Sequence, residues 1–236
     1  MHDQSQQDYG RIARTAQLPK KAQSGRRKSR VEQGEETRAR ILQSALKHFS
    51  DNGYAGASVR DISADAGVTH AVIRLHFETK ENLWKAAVDH LFAYQEAAVT
   101  SFRTAPDDLT VESFVDLIRD YVRYCAGHPD NMRIMIHETI RDSDRLRWVV
   151  EKHLSPIHED LRRLFERAVS LRILPAEQME SLMYIFISSS QMIFALRSEA
   201  GLIHGVDVLD SAFVERHANA MAALLVGSAS KIHAPA

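Results

Sequence analysis

Residues 58–80 contain side chains whose types suit contacts with a DNA duplex. Ser58 and Thr69 each precede a short apolar pattern of helical spacing, and the amides and hydroxyls at helix N-termini favour phosphate groups. His70 can donate a hydrogen bond to a purine acceptor, and Ala71-Val72 can contact a thymine methyl group. This combination indicates a DNA-contacting surface, provided that the local structure presents these side chains together.

Two short helices are predicted to present them. The first opens at Ser58 and repeats apolar residues at spacings of three and four until Gly67 ends it. The second follows the N-cap Thr69 and runs from His70 to about Phe77, with Ile73 facing inward. The short turn around Gly67 gives a helix-turn-helix layout, in which the second helix enters the major groove of DNA.

A longer amphipathic helix is predicted to precede this pair. It starts after Glu35-Glu36, whose acidic side chains suit a helix N-terminus, and it ends at Asn52-Gly53, where glycine can adopt the left-handed conformation. Its apolar stripe consists of Ile41, Leu42, Ala45, Leu46 and Phe49. Such a stripe is typical of a helix that packs on a hydrophobic core.

Apolar, glycine and polar positions agree in one register at Ile41-Leu42, Ala45, Phe49, Gly53-Tyr54, Ala57-Ser58-Val59, Ile62, Ala66-Gly67-Val68-Thr69, Ile73, His76-Phe77, Thr79-Lys80-Glu81 and Leu83. With these residues the stretch closely resembles the DNA-binding domain of the TetR (tetracycline-repressor-like) family. The resemblance covers about a fifth of the chain. It implies a three-helix DNA-binding head, at 35–82, on a larger helical domain, at 83–236, that dimerises and usually binds a small effector.

The resemblance also implies roles for individual residues. Phosphate contacts are expected from Ser58, His76 and Lys80. Base contacts are expected at the start of the second short helix, from Thr69, His70, Ala71 and Val72. Ala71 stands where the family commonly has glycine, and Arg74 where it commonly has tyrosine. Because arginine can hold a phosphate or contact a guanine, Arg74 is a further candidate for a DNA contact. This departure from tyrosine bears on which operator sequence is bound and not on whether DNA is bound.

Three of the candidates also have an interpretation without DNA. Arg60 is included among the expected DNA contacts. Arg60 and Lys80 are also consistent with solvated surface charges, and His76 is also consistent with a packed histidine. Residues 35–82 carry six basic and seven acidic residues, so their overall charge shows no electrostatic footprint for DNA. Binding would then depend on where each charge is placed and on dimerisation.

The N-terminal residues 1–34 are predicted to be a disordered basic arm. They hold eight basic and three acidic residues, a balance of +5 that leaves −6 for the other 202 residues of a chain whose net charge is −1. They contain few large apolar residues and therefore cannot form a core. The arm is interpreted either as a DNA-contacting segment or as a solvated tail.

The rest of the chain is predicted to be helical, which makes the fold class all-α. Six helical segments are expected after Thr79, at 80–101, 110–126, 129–141, 143–171, 175–199 and 210–226. Pro156 predicts a kink or a break within the fourth. The last two helices are expected to form a homodimer interface through Phe213, Ala218, Met221, Ala222, Leu224 and Leu225. The alternative is that they only complete the core of a monomer.

An adaptable apolar pocket is expected within the larger domain. Candidate lining residues are Tyr121, Tyr124, Met132, Met135, Trp148, Tyr184, Phe186 and Met192. Each of these residues is also compatible with an ordinary place in the core. No group of side chains indicates a particular effector, and no cofactor is expected.

Other functional classes find little support in the sequence. The chain has no Gly-x-Ser-x-Gly elbow, phosphate-binding glycine loop or His-Glu-x-x-His pair, so no enzyme is expected. His137, Glu138, His153, His158 and His204 lack a recognised zinc-ligand spacing, so no metal site is expected. Cys125 is the only cysteine, and the polar N-terminus resembles no secretory signal, so a cytoplasmic location without a membrane partner is expected.

These observations predict a ligand-responsive DNA-binding transcription regulator, and more specifically a repressor. A homodimer would bind a palindromic operator, and a small, largely apolar effector would release it by swinging the helix at 80–101. A helical module that recruits a protein and does not bind DNA is the alternative.

Overall fold

The computed structural model describes residues 29–103, 109–175 and 179–232, with side chains for all of these except 94–103 and 228–232. Every regular element in these ranges is helical, which confirms the predicted all-α class. Residues 1–28 of the predicted basic arm lie outside the described residues.

The N-terminal helices are α1 (Arg30–Gly56), α2 (Val59–Asp65) and α3 (His70–Phe77). α1 begins at Arg30 and not after Glu35-Glu36 as predicted, so residues 30–34 of the predicted disordered arm are helical. It is interrupted where the sequence predicts its end, because Gly53 has φ 65° and ψ 177°, a conformation that is essentially restricted to glycine.

The larger set of helices begins with α4 (Lys80–Arg103). The following helices are α5 (Val111–Gly127), α6 (Pro129–Thr139), α7 (Asp144–Val149), α8 (Ser155–Ser170), α9 (Met179–Ala195), α10 (Arg197–His204) and α11 (Ser211–Ile232). A π-helical segment, Val150–Leu154, joins α7 to α8. Within the described ranges no single helix is long and apolar enough to cross a membrane. α9 and α10 meet these two criteria only when they are taken together, and they are bent by 69° relative to each other.

Two of the predicted segments are divided in the structure. The π-helical segment lies directly before Pro156, whose ring would clash with the carbonyl group four residues earlier in a regular α-helix. That carbonyl belongs to Lys152, so the wider turn accommodates the proline. The predicted helix 175–199 is also divided, because α9 ends at Ala195 and α10 begins at Arg197.

Buried apolar residues form two clusters within residues 36–236, which are one compact unit. The head cluster is formed by α1–α4 and also takes in Ile134 of α6 and Val149 of α7. The body cluster is formed mainly by α5, α8, α9 and α11. Because the head cluster continues into α4 through Leu83 and Trp84, the domain boundary at 82 remains a prediction from the sequence.

Candidate nucleic-acid interface and internal cavity

The turn between α2 and α3 is fixed by backbone geometry and burial. Ser58 is extended, and its Oγ accepts a hydrogen bond from the Asp61 amide at 3.4 Å. Gly67 has φ 64°, which turns the chain into α3. Ile73 and Phe77 are buried, at 3% and 4% exposure, and so determine which side of α3 faces outward.

The outward side of α3 carries the predicted residues His70, Ala71 and Arg74, all exposed. Thr69 occupies the N-cap position, and its side chain makes no capping hydrogen bond, which leaves the hydroxyl available to a ligand. Leu75 lies on the same side and is 82% exposed, and it is not among the contact residues predicted from the sequence. Its position four residues after Ala71 places both on one face of the helix, a spacing that could have identified it.

Two predicted contact residues are less accessible. Val72 is half-buried and packs against the head cluster, so it offers only part of its surface to a base. His76 is also half-buried, and its ring centre lies 6.0 Å from that of Phe77. His76 is therefore partly packed against the core, as expected for the interpretation in which it does not contact DNA.

Arg60 and Lys80 differ in their surroundings. Arg60 is exposed on α2. The Lys80 ammonium lies 3.4 Å from the Ala55 carbonyl oxygen and 4.8 Å from the ring centre of Tyr54. Burial, and secondarily the charge of Arg145, lower the pKa of Lys80 from its ordinary value. Lys80 is therefore anchored against the end of α1.

α6 and α7 hold the same end of α1. His137 Nε2 lies 3.2 Å from the Ser50 carbonyl oxygen, and Arg133 pairs with Asp51 at 3.0 Å. The Arg145 guanidinium lies 3.8 Å from the ring centre of Tyr54. These contacts tie the head to the helices that enclose a cavity.

The cavity has a volume of about 510 Å³, is lined by α4–α9 and the π-helical segment, and is partly open to solvent. Seven of the predicted pocket residues line it: Tyr121, Tyr124, Met132, Met135, Tyr184, Phe186 and Met192. Trp148 does not, which corrects that prediction. Its ring lies 6.0 Å from that of Trp84, because position 148 of α7 faces α4 and the head cluster.

Hydrogen-bonding groups occupy several places in the cavity wall. The Tyr121 hydroxyl accepts a hydrogen bond from Gln191 Nε2, and the Tyr124 hydroxyl accepts one from Asn131 Nδ2 at 3.1 Å. Burial raises the pKa of Tyr121 well above its ordinary value and that of Tyr124 to about 12. Burial also lowers the pKa of His158. The wall therefore favours the uncharged form of each group.

The predicted dimer interface is mostly covered within one chain. Ala218, Met221, Ala222 and Leu225 are buried in the body cluster, where α11 packs on α5, and are not available to a partner. The apolar stripe of α11 is therefore satisfied by the chain's own core, which corrects this part of the prediction. Phe213 is half-buried, and Leu224 is 55% exposed.

In the described part of the chain, no three His, Cys, Asp or Glu side chains are grouped so that they could hold a metal ion. His137 contacts α1, and Glu138 is buried and accepts a hydrogen bond from Arg145 at 3.2 Å. His153 Nε2 lies 2.8 Å from Asp89 Oδ1. Each of these three side chains therefore interacts with a different partner.

Comparisons with known proteins agree with this architecture. Residues 41–87 match the family model described as bacterial regulatory proteins, tetR family. A probable HTH-type transcriptional regulator of Bacillus subtilis, YttP, is 28% identical over 119 residues, which are 50% of this chain and 58% of that protein. The HTH-type transcriptional repressor Rv3405c of Mycobacterium tuberculosis is 46% identical over 57 residues, which are 24% and 30% of the two chains.

A solved structure extends the likeness to the larger helices. The crystal structure of AibR in complex with isovaleryl coenzyme A and operator DNA superimposes with a TM-score of 0.65 and 20% identity, over 80% of this chain and 98% of that one. The sequence matches, in contrast, span only 58% and 30% of the length of the two curated relatives. Residues 41–87 therefore carry the sequence pattern of the tetR family of bacterial regulatory proteins, and the described helices adopt the fold of TetR-like regulators.

Proposed function

We propose that this protein is a DNA-binding transcriptional regulator that reads the major groove with α3. The observation that carries the proposal is the outward face of α3, where His70, Ala71, Arg74 and Leu75 are exposed above buried Ile73. This face combines hydrogen-bond donors with small and branched apolar groups, which is the mixture that base edges require.

Each exposed residue has a distinct role in this proposal. Arg74 can donate two hydrogen bonds to a guanine, and His70 can donate one to a purine acceptor. Leu75 and Ala71 can contact thymine methyl groups. The hydroxyl groups of Thr69 and Ser58 donate to phosphates, which positions the helix without specifying sequence.

The regulator would act as a homodimer, because two copies of α3 can then occupy two half-sites of one operator. The outer surfaces of α9 and α11 support a pairing face. Ile185 of α9 and Leu196, which directly follows α9, are 42% and 44% exposed. Leu224 of α11 is 55% exposed next to the small residue Ala220. An apolar face of this kind favours contact with a second copy.

Binding of an effector in the cavity would affect α3 through two sets of contacts, one in α4 and one in α6. Phe92 of α4 lines the cavity and stacks at 4.4 Å on His153 of the π-helical segment. Only Glu78 and Thr79 separate α4 from α3.

The second set of contacts is in α6. Met132 and Met135 line the cavity on one side of this helix, while Arg133 and His137 hold α1 on the other. We propose that occupancy shifts α4 and α6, changes the spacing of the two α3 helices and lowers operator affinity, as in a repressor. Rv3405c is named as a repressor, which supports this direction.

Fluorescence anisotropy with the duplex upstream of the protein's own gene tests the proposal. Affinity should fall steeply with salt, because phosphate contacts release counterions, and the upstream duplex should bind more tightly than scrambled DNA. A protein-recruiting module, the alternative function, would bind neither duplex appreciably at any salt concentration. That result would overturn the DNA-binding proposal.

A further inference from the structure

The cavity wall contains almost no formal charge. Among the described residues that line it there is no lysine and no arginine, and Asp160 is its one carboxylate. Asp160 forms an ion pair with Arg163, whose own side chain is 61% exposed. The wall therefore provides no cation for an acidic ligand, and its acidic group is already paired.

Aromatic rings line the cavity on several sides. Tyr124 and His128 stack with ring centres 4.5 Å apart, and Tyr121 and Phe186 lie 4.9 Å apart. Methionines fill the spaces between such rings and adapt to ligands of different shape. Flat, polarisable molecules suit these surfaces because they can stack on the rings.

Two wall groups retain hydrogen-bonding capacity. The Tyr124 hydroxyl accepts from Asn131, which leaves its own proton free to donate. The half-buried His158 imidazole has no hydrogen-bond partner among the described residues, and its ring lies 5.9 Å from that of Tyr184. A neutral imidazole offers one donor and one acceptor. A ligand could therefore be oriented by one or two polar groups.

Burial in the cavity wall disfavours a charge both on the wall side chains and on a bound ligand. It raises the pKa of Tyr121 and Tyr124 and lowers that of His158, so each group is held in its neutral form. A charged ligand group placed among them would lose its hydration without gaining an opposite charge.

We propose that the cavity binds an uncharged aromatic molecule with one or two hydrogen-bonding groups, and that it discriminates against acidic analogues. A volume of about 510 Å³ accommodates a molecule of about two or three rings. This proposal rests on the proposed function in one respect, because the ligand's role as an effector presupposes a DNA-binding regulator.

A matched pair of fluorescent probes tests the ligand class in the absence of DNA. N-phenyl-1-naphthylamine is uncharged, and 8-anilino-1-naphthalenesulfonate differs from it by one sulfonate. The uncharged probe should bind at least roughly tenfold more tightly, because the sulfonate would be desolvated without a cation. Equal or tighter binding of the sulfonate, or no binding of either probe, would overturn the proposal.

Proflavine, a planar cation, tests whether the cavity prefers a positively charged ligand to an uncharged one. Weaker binding than that of the uncharged probe is expected, because Arg163 already pairs with Asp160. Tighter binding of proflavine would overturn the assignment to uncharged ligands and would indicate a cation site at Asp160.

A charge introduced at the cavity locates the probe. Met192 lines the cavity and is 37% exposed, so a lysine at this position would add a positive charge to the wall without being fully buried. Met192→Lys should therefore reverse the preference of the two matched probes. Ile140→Lys, at a position that is 73% exposed and does not line the cavity, is the control and should preserve it. An unchanged preference in Met192→Lys would show that the probes bind elsewhere and would overturn the assignment.

Failure of this proposal and failure of the proposed function give different results. If the protein binds its upstream duplex but does not prefer the uncharged probe, only the proposed ligand class is contradicted. If it prefers the uncharged probe but binds no duplex, the ligand class is supported and the proposed role in transcription is contradicted.

Discussion

At the residue scale, α3 separates the side chains that hold the helix from those that face away from it. His70, Ala71 and Arg74 were predicted to face outward, and they are exposed. Val72 was assigned the same role but packs partly on the head cluster, while Leu75 was missed because an apolar residue in an amphipathic helix suggests burial. The helical period decides between the two positions, since Leu75 follows Ala71 by four residues.

Leu75→Ala should weaken operator binding while leaving the free energy of unfolding nearly unchanged. The side chain is 82% exposed, so its removal creates no cavity in the core. Ile73→Ala is the matched comparison, because Ile73 is 3% exposed and its truncation should cost about 2–5 kcal/mol of stability. Urea unfolding and anisotropy measure the two effects. Unchanged operator affinity in Leu75→Ala would remove this residue from the interface.

His158 should make stability depend on pH. Burial lowers the folded-state pKa below the ordinary value of about 6.5, so the unfolded chain binds a proton more readily below that pH. The free energy of unfolding should therefore decrease as the pH falls from about 7 to 5. His158→Gln should show a smaller decrease in urea titrations at the two ends of this range. An equal decrease in both proteins would contradict the assignment.

At the element scale, breaks caused by special backbone residues were predictable, and breaks without such residues were not. Gly53 and Pro156 signalled the interruption of α1 and the division of the segment 143–171. The change of direction between α9 and α10 occurs at Leu196, where neither glycine nor proline is present. That bend depends on tertiary packing, which the local sequence does not encode.

Gly53→Ala should lower the free energy of unfolding by about 1–3 kcal/mol, because its φ of 65° with ψ 177° is strained for any other residue. The added Cβ would also lie 3.1 Å from His137 Nδ1. Gly34→Ala in the same helix is the control; its Cβ would contact nothing within 4 Å, and it should raise stability by about 0.5–1 kcal/mol. Effects of the same sign in urea unfolding would contradict this account of the α1 break.

At the scale of the whole molecule, apolar patterns identified buried surfaces but not what covers them. Ala218, Met221, Ala222 and Leu225 were predicted to contact a partner, and they pack within the chain instead. Trp148 was expected in the cavity and packs towards the head. Hydrophobicity is the same whether a side chain meets its own core, a ligand or a second copy, so only the three-dimensional arrangement separates these cases.

Leu224→Glu should convert the proposed homodimer to a monomer and reduce operator affinity, since a carboxylate would be buried at the pairing face without a partner. Ile140→Glu introduces the same charge at the 73% exposed end of α6 and should leave both properties unchanged. Light scattering after size-exclusion chromatography gives the mass of each variant. A Leu224→Glu protein that remains dimeric would place the pairing face elsewhere.

The most direct test of the central claim is selection of bound duplexes from a random pool, followed by sequencing. A dimer that reads DNA through two copies of α3 should enrich a palindrome whose half-sites are centred about one helical turn, ~10–10.5 base pairs, or a multiple of it apart. Arg74→Ala should lose preference at one position in each half-site, at a cost of about 1–3 kcal/mol. A pool without enriched sequence, or a selected motif that is identical for wild type and Arg74→Ala, would contradict sequence reading by α3.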